Sequence, residues 1–302
     1  MRSRSILPAM MAVGGLLAFI SPANAAYTFT EIYVPGSFST DAAGINDAGQ
    51  IVGSFADITG YHGFLYTGGT FTQIDFPGSP ETHPRGINNA GQIVGNFFDG
   101  KGGVHGFLDT GGVFTQIDFP GTTGFTDAYG INDAGQIVGS FNMAHGFLDS
   151  GGVFTQIDRP GASITDANDI NNAGQIVGNP GFLYSNGTFT SVNPPGASNP
   201  SASGINSLGL IVGSFDDRTG THGFLDTGGS FTQIDVPGAM VTLARGVNDA
   251  GQIVGTFENN PGSTPDRGFL ATPISQVPEP STLALLGVGT FGFGLLRRRR
   301  NA

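Results

Sequence analysis

No cysteine and no tryptophan occur among the 302 residues, and only 12% of them are charged. Without cysteine there are no disulfide staples, no thiolate nucleophile and no thiolate metal ligand, so a folded body must be stabilised by its own core. Without tryptophan the best stacking platform for a sugar ring is missing. Nor is there a Gly-x-Ser-x-Gly nucleophile elbow, a His-Glu-x-x-His zinc helix, a Gly-x-x-x-x-Gly-Lys-Ser/Thr phosphate loop or an Asp-x-Asp-x-Asp-Gly calcium loop. Positive charge is scarce as well. Residues 26–276 hold six Lys/Arg against 22 Asp/Glu, a net of −16. The whole-chain value of −11 hides this, because Arg2, Arg4, Glu279 and four terminal arginines lie outside that segment. Such a body repels phosphate backbones, so nucleic acid is not an expected partner.

What the chain does have is glycine, 51 of them, and 25 phenylalanines. They sit in a repeat. The motif Gly-Ile-Asn-x-Ala-Gly-Gln-Ile-Val-Gly recurs six times, with its Asn at Asn46, Asn88, Asn132, Asn171, Asn206 and Asn248. Each copy is followed by His-Gly-Phe-Leu-x-x-Gly-Gly-x-Phe-Thr-Gln-Ile-Asp-x-Pro-Gly, with small departures. These units resemble the HAF-type extracellular repeats of secreted bacterial proteins.

Each unit parses into four short strands, a to d. Strand a ends at the Ile-Asn. In the first unit b covers residues 50–55, c residues 62–66 and d residues 71–76. Glycine closes the a–b turn, where a three-residue hairpin needs positive φ. Strand d carries apolar residues on both faces, which fits a sheet buried on both sides. Four strands in about 40 residues match a propeller blade. The chain opens with a lone d-type strand from Tyr27 and stops after an a–b–c set at Phe269-Leu270, fragments that complete one blade. The expected fold is therefore all-β: a six-bladed β-propeller over residues 26–273, closed by the N-terminal strand. A C-terminal hydrophobic sorting helix follows it. A β-solenoid is the alternative.

The d–a loops are nearly constant in length, whereas the b–c loops vary widely. Both lie on one face of such a disc, making it the expected ligand face, with Tyr61, Phe125 and Tyr129 in loops as substitutes for tryptophan and Asp216 and Asp217 as acidic groups. No cofactor is expected. Asp57, Asp216 and Asp217 are the loop carboxylates that could assist Ca²⁺. His62, His105, His145 and His222 share one repeat position but fall on the third strand from the axis. That is too far apart for a shared zinc, so they read as structural groups bonded to a loop carbonyl. Asp75, Asp118, Asp158 and Asp235 repeat likewise and read as turn or cross-blade hydrogen-bonding groups. Symmetry is broken chiefly by loop length, which argues against catalysis. The expectation is an exported, noncatalytic surface or matrix protein, able to bind glycan. The alternative is a secreted carbohydrate-active hydrolase or lyase with acids near the axis.

The ends of the chain are addressed. Arg2 and Arg4, an apolar stretch over residues 6–20 and Ala23-Asn24-Ala25 form a signal peptide with its cleavage site, which implies the secretion machinery as a partner. At the other end come Pro278-Glu279-Pro280, an apolar run over residues 283–296 and Arg297, Arg298, Arg299 and Arg300. The prolines hold the box extended. The run would span roughly 21 Å as a helix against a hydrocarbon core of about 30 Å, short for a permanent anchor. The arginines hold the cytoplasmic side. This order resembles the PEP-CTERM sorting domain, which implies an exosortase-type processing enzyme as a partner and a transient stay in the inner membrane. The family's setting implies a final place at the cell surface or in exopolysaccharide and biofilm matrix. In a host with the sorting enzyme, the mature protein should lack residues 283–302. An intact mass that includes the four arginines would contradict this.

Overall fold

The computed structural model describes residues 27–122, 124–259 and 266–274. The cleavage residues Ala23 and Ala25, the sorting residues Pro278, Glu279, Pro280 and Arg297 to Arg300, and the apolar run over 283–296 lie outside them. Every described regular element is a strand, and none is a helix. Strand β1 (Tyr27–Ile32) precedes the first repeat, β2 (Ser39–Ile45), β3 (Ile51–Asp57), β4 (Gly60–Thr67) and β5 (Thr70–Ile74). The second has β6 (Thr82–Ile87), β7 (Ile93–Phe98), β8 (Val104–Thr110) and β9 (Val113–Ile117). The third has β10 (Thr126–Ile131), β11 (Ile137–Phe141), β12 (His145–Asp149) and β13 (Phe154–Ile157). In the fourth are β14 (Asp166–Ile170), β15 (Ile176–Asn179), β16 (Phe182–Ser185) and β17 (Thr188–Ser191). The fifth has β18 (Ser198–Ile205), β19 (Ile211–Asp216), β20 (Thr221–Asp226) and β21 (Phe231–Ile234). The sixth has β22 (Val241–Val247), β23 (Ile253–Glu258) and β24 (Arg267–Pro273).

Repeats one to four each form a four-stranded antiparallel sheet in chain order. The last two form one eight-stranded sheet, whose halves meet only through the parallel pair Thr221 and Val241 on β20 and β22. In that sheet β1 pairs antiparallel with β24, so the first strand of the chain completes the last repeat. The turn glycines at 49, 91, 135, 174, 209 and 251 all have φ between 73° and 80°, the conformation a side chain would strain.

Burial follows strand position. In β3, Ile51 to Phe55 are all buried, so this sheet is covered on both faces. The outer strand does not follow the expectation: in β5 only Ile74 is buried, and Thr72 and Gln73 face solvent. As the last strand of its sheet, it has no further strand to shield it. Phe64, Phe107, Phe147, Phe182, Phe224 and Phe269, the phenylalanines of the Gly-Phe-Leu motif, are fully buried. Each contributes about 1.5–3 kcal/mol by burial. The Val-Gly of the first motif makes room for them, since a Cβ on Gly53 would lie 3.0 Å from the Phe64 ring and 1.9 Å from the Asp41 carbonyl oxygen. Cores form between neighbouring repeats. One combines Ile45, Ile51 and Phe64 of the first repeat with Ile32 and with Val254 of the last.

The repeated asparagine joins the inner strands. Each Nδ2 donates to the main-chain carbonyl of the next repeat's asparagine: Asn46 to Asn88 (3.2 Å), Asn88 to Asn132 (3.1 Å), Asn132 to Asn171 (3.2 Å) and Asn171 to Asn206 (3.1 Å). Asn206 donates to Asn248 (2.9 Å), and Asn248 returns to Asn46 (3.1 Å). The belt is closed. Within each turn the asparagine Oδ1 accepts from the main chain four residues on, as Asn46 does from Gln50 (3.0 Å). All six asparagines are buried.

Beside the belt the backbones nearly touch. A Cβ on Gly44 would lie 2.7 Å from the Arg85 carbonyl oxygen, and one on Gly86 2.7 Å from that of Tyr129. The fourth repeat departs from the motif with Asp169. Its carboxylate accepts from the amides of Ile170 and, in the next repeat, Ile205, both at 2.9 Å. Burial pushes its pKa up to about 7, partly offset by those two amides.

Asn132→Ala removes a buried donor and leaves the Asn171 carbonyl short of one partner, so urea unfolding should show a loss of about 1–3 kcal/mol. For Asp169 the folded pKa is raised above the ordinary 3.8. The folded state therefore binds the extra proton, and stability falls as pH rises from about 4 to about 7. Asp169→Gly restores the motif residue and should flatten that fall relative to wild type when urea midpoints are compared at pH 4.5 and 7.5. An unchanged difference would sink the assignment.

Candidate functional site

The residue before the ring position differs from repeat to repeat: Ala43, Arg85, Tyr129, Asn168, Ser203 and Arg245. Every innermost strand shifts register at this residue, between Ala42 and Gly44 in the first repeat and between Pro84 and Gly86, Ala128 and Gly130, Ala167 and Asp169, Ala202 and Gly204, and Ala244 and Gly246 in the others. A β-bulge leaves one residue unpaired and re-aims its side chain. Here the six bulged residues line one cavity of about 280 Å³, together with Asp166, Asn179 and Ser201. Behind it the space narrows to about 50 Å³ at the ring glycines. On the far side lies a pocket of about 80 Å³ bordered by the asparagine belt.

The cavity walls are polar and differ around the ring. Asp41 is 3.1 Å from the Arg245 Nε and 3.7 Å from the Arg85 Nη1, and it accepts from the Thr256 hydroxyl. Burial opposes its charge, but the guanidiniums of Arg245 and Arg85 hold its pKa below the usual carboxylate value. Asp127 goes the other way: burial raises its pKa, against the pull of Arg85 and a bond from Tyr129. The Tyr129 hydroxyl is 3.1 Å from the Ser140 Oγ, and burial pushes its pKa up. His83 is lowered by burial and by Arg85. Asp166 accepts from the Asn179 amide at 3.2 Å. The Nε of Arg85 is buried without a hydrogen-bond partner.

Of the residues expected to form a ligand face, Tyr61, Phe125, Asp216 and Asp217 stand at the b–c and d–a ends of three different repeats, and Tyr129 does not. Tyr129 is not in a loop: it is a bulged residue of β10 in the axial cavity. Tyr61 is at the start of β4, half exposed, with its ring 5.4 Å from that of His83. Phe125 is half-buried and bridges to Val104. Asp216, at the end of β19, accepts from Asn199 (3.0 Å) and Thr221 (2.8 Å). Asp217 accepts from the Thr219 amide and hydroxyl, both at 2.6 Å. Those bonds hold both carboxylates low and occupy them locally. Tyr61, Phe125 and Asp216 belong to the first, third and fifth repeats. Among the described residues no group of three or more His, Asp or Glu side chains is arranged to hold a metal ion.

The repeated histidines bond to carboxylates, not to a loop carbonyl. His62, His105, His145 and His222 place Nδ1 at 3.1, 2.7, 2.9 and 2.8 Å from Asp75, Asp118, Asp158 and Asp235. The aspartates therefore bond across strands within one repeat, neither in turns nor between repeats. Glutamine of the same Gln-Ile-Asp donates to each aspartate, as Gln73 does at 2.6 Å. Each histidine ring also lies 5.2–5.6 Å from a strand-b phenylalanine, as with Phe141 and Phe215. This clip joins outer strands.

Loop lengths do not reveal the axial residues. Aligning the six copies on Gly-Ile-Asn would have exposed them: two residues before the glycine stands Ala in five copies, while the residue between varies from Ala to Arg.

Among solved structures, the chain is similar to a protein of unknown function from Dyadobacter fermentans, at 12% identity and TM-score 0.50, over 83% of this chain and 100% of that one. It also matches an inactive variant of virginiamycin B lyase from Staphylococcus aureus with quinupristin, at 14% identity and TM-score 0.49, over 82% and 100%. A variant of Aleuria aurantia lectin in complex with α-methyl-L-fucoside matches at 12% and 0.42, over 83% and 99%. At these identities the likeness concerns the fold alone. No curated protein matches the chain. Residues 276–300 match the PEP-CTERM protein-sorting motif. That motif implies an exported protein, recognised by an exosortase-type enzyme and sorted through its C-terminus to the cell surface or beyond.

Proposed function

We propose that this is a six-bladed propeller, exported and then retained in the cell-surface or extracellular polysaccharide matrix, that binds a glycan unit in its axial cavity without catalysing a reaction. The observation that carries this reading is the bulged ring. The asparagine belt and the glycines repeat, whereas the six side chains turned into the cavity are nearly all different. A repeat diversifies where it meets something unsymmetrical. Guanidinium, amide, carboxylate and hydroxyl groups converging on one small cavity suit the many hydroxyls of a sugar. The cavity, about 280 Å³, is just below the range of ligand sites, which begins at about 300 Å³. That favours one sugar unit over a long chain.

A second reading has one observation behind it. Asp41 on β2 and Asp127 on β10 flank the inner strand β6, and their pKa values are driven in opposite directions. That divergence is what a hydrolase or lyase uses for acid and base.

Calorimetry of the full chain in detergent, with oligosaccharides from the producing cell's extracellular polysaccharide and a parallel assay for released sugar, tests both. Saturable binding without release is expected, abolished by Ser203→Phe, which fills the cavity. Binding that survives Ser203→Phe moves the site elsewhere, and release establishes the second reading.

A further inference from the structure

The cavity wall formed by repeats six, one and two has two guanidiniums for one carboxylate. Asp41 is shared, 3.1 Å from Arg245 and 3.7 Å from Arg85. Arg245 and Thr256 both bond to it, and Arg245 Nε also reaches the Thr256 hydroxyl at 3.4 Å. Arg85 is left over. Its contact with Asp41 is beyond hydrogen-bond reach, and its buried Nε donates to nothing. A buried donor without an acceptor is costly. Asp127, on the next inner strand, attracts Arg85 but takes a bond from Tyr129, and burial draws it toward the neutral form. The wall therefore keeps one buried donor, the Arg85 Nε, without an acceptor.

The other wall has the opposite need. Asp166 accepts only, and its bond from Asn179 leaves lone pairs open. Asn168, Ser201 and Ser203 stand beside it on the cavity surface. Asp166, the Asn168 Oδ1 and the serine oxygens can all accept from hydroxyl donors. A neutral sugar meets the second wall but brings no anion to the open Arg85 fork. A plain carboxylate meets the first but not the second.

We infer that the axial cavity takes a hydroxylated carboxylate of monosaccharide size, a sugar acid, with its carboxylate on Arg85 and its hydroxyls on Asp166, Asn168 and Ser203. This rests on the axial cavity being the binding site. The planar guanidinium presents two parallel N–H groups that fit a carboxylate, a match an ester or a primary alcohol lacks.

The test compares glucuronate and galacturonate with their methyl esters, which keep the shape and lose the charge, and with glucose and galactose. Titrated into the full chain, a sugar acid should bind at least tenfold tighter than its ester. Arg85→Gln should bring the acid down to the ester's affinity. Arg85→Lys should retain part of the preference, and it keeps the comparison available if Arg85→Gln fails to fold. Equal binding of acid and ester, or a preference that survives Arg85→Gln, overturns the sugar-acid assignment. Neutral sugars that bind as well as acids, and are blocked by Ser203→Phe, overturn it while leaving the axial site standing. If no sugar of either class binds, and matrix oligosaccharides bind regardless of Ser203→Phe, both the assignment and the site fall.

Discussion

The structure depends on one bond made six times, the asparagine Nδ2 of each repeat to the asparagine carbonyl of the next, closing from Asn248 back to Asn46. Innermost strands that converge on an axis have no strand beyond them to pair with, so their polar groups must be satisfied sideways. Asparagine can do this because it offers both a donor and an acceptor on a short stem. Its Nδ2 reaches the neighbour while its Oδ1 accepts from its own turn, as at Gln92 and Gln136. A second belt runs beside it, with Asp47 bonding to Asn89, Asn89 to Asp133 and Asp133 to Asn172.

That belt fixes the distance between neighbouring repeats, and the glycines follow from the distance. At Gly44 and Gly86 the next strand leaves no space for a Cβ. The bulge just before the glycine then turns one side chain per repeat toward the axis. The belt, the ring and the buried phenylalanines settle the scaffold around it, so the bulged residue can vary, even where it adds a bond of its own, as Asn168 does to the Ala202 carbonyl and Arg245 to Asp41. Arg85, Tyr129 and Asn168 can differ without disturbing the sheets that hold them. The same logic separates the histidines from function: His62 and His222 are tied to Asp75 and Asp235 on outer strands, away from the cavity.

Much of the fold was legible in the sequence. The Gly-Ile-Asn repeat gave the strand units, the turn glycines gave the hairpins, and the unpaired strand at Tyr27 gave the pairing of β1 with β24. The site was not. Tyr129 is a bulged strand residue and not a loop residue, and a bulge leaves no mark in an alternation pattern. Asp216 and Asp217 looked available as acids because hydrogen bonds from Asn199 and Thr219 cannot be read from spacing. The exposure of Thr72 and Gln73 depends on which strand is outermost, which is a matter of topology and not of local pattern. The axial residues differed visibly between copies, but their meeting in one cavity is a tertiary fact.

A crystal structure of the full chain soaked with oligosaccharides from the producing cell's extracellular polysaccharide tests the central claim most directly. The account predicts a sugar unit seated in the axial cavity, against Arg85, Asn168 and Ser203. Sugar bound only on the rim beside Tyr61 or Phe125, with the axial cavity holding water alone, would contradict it.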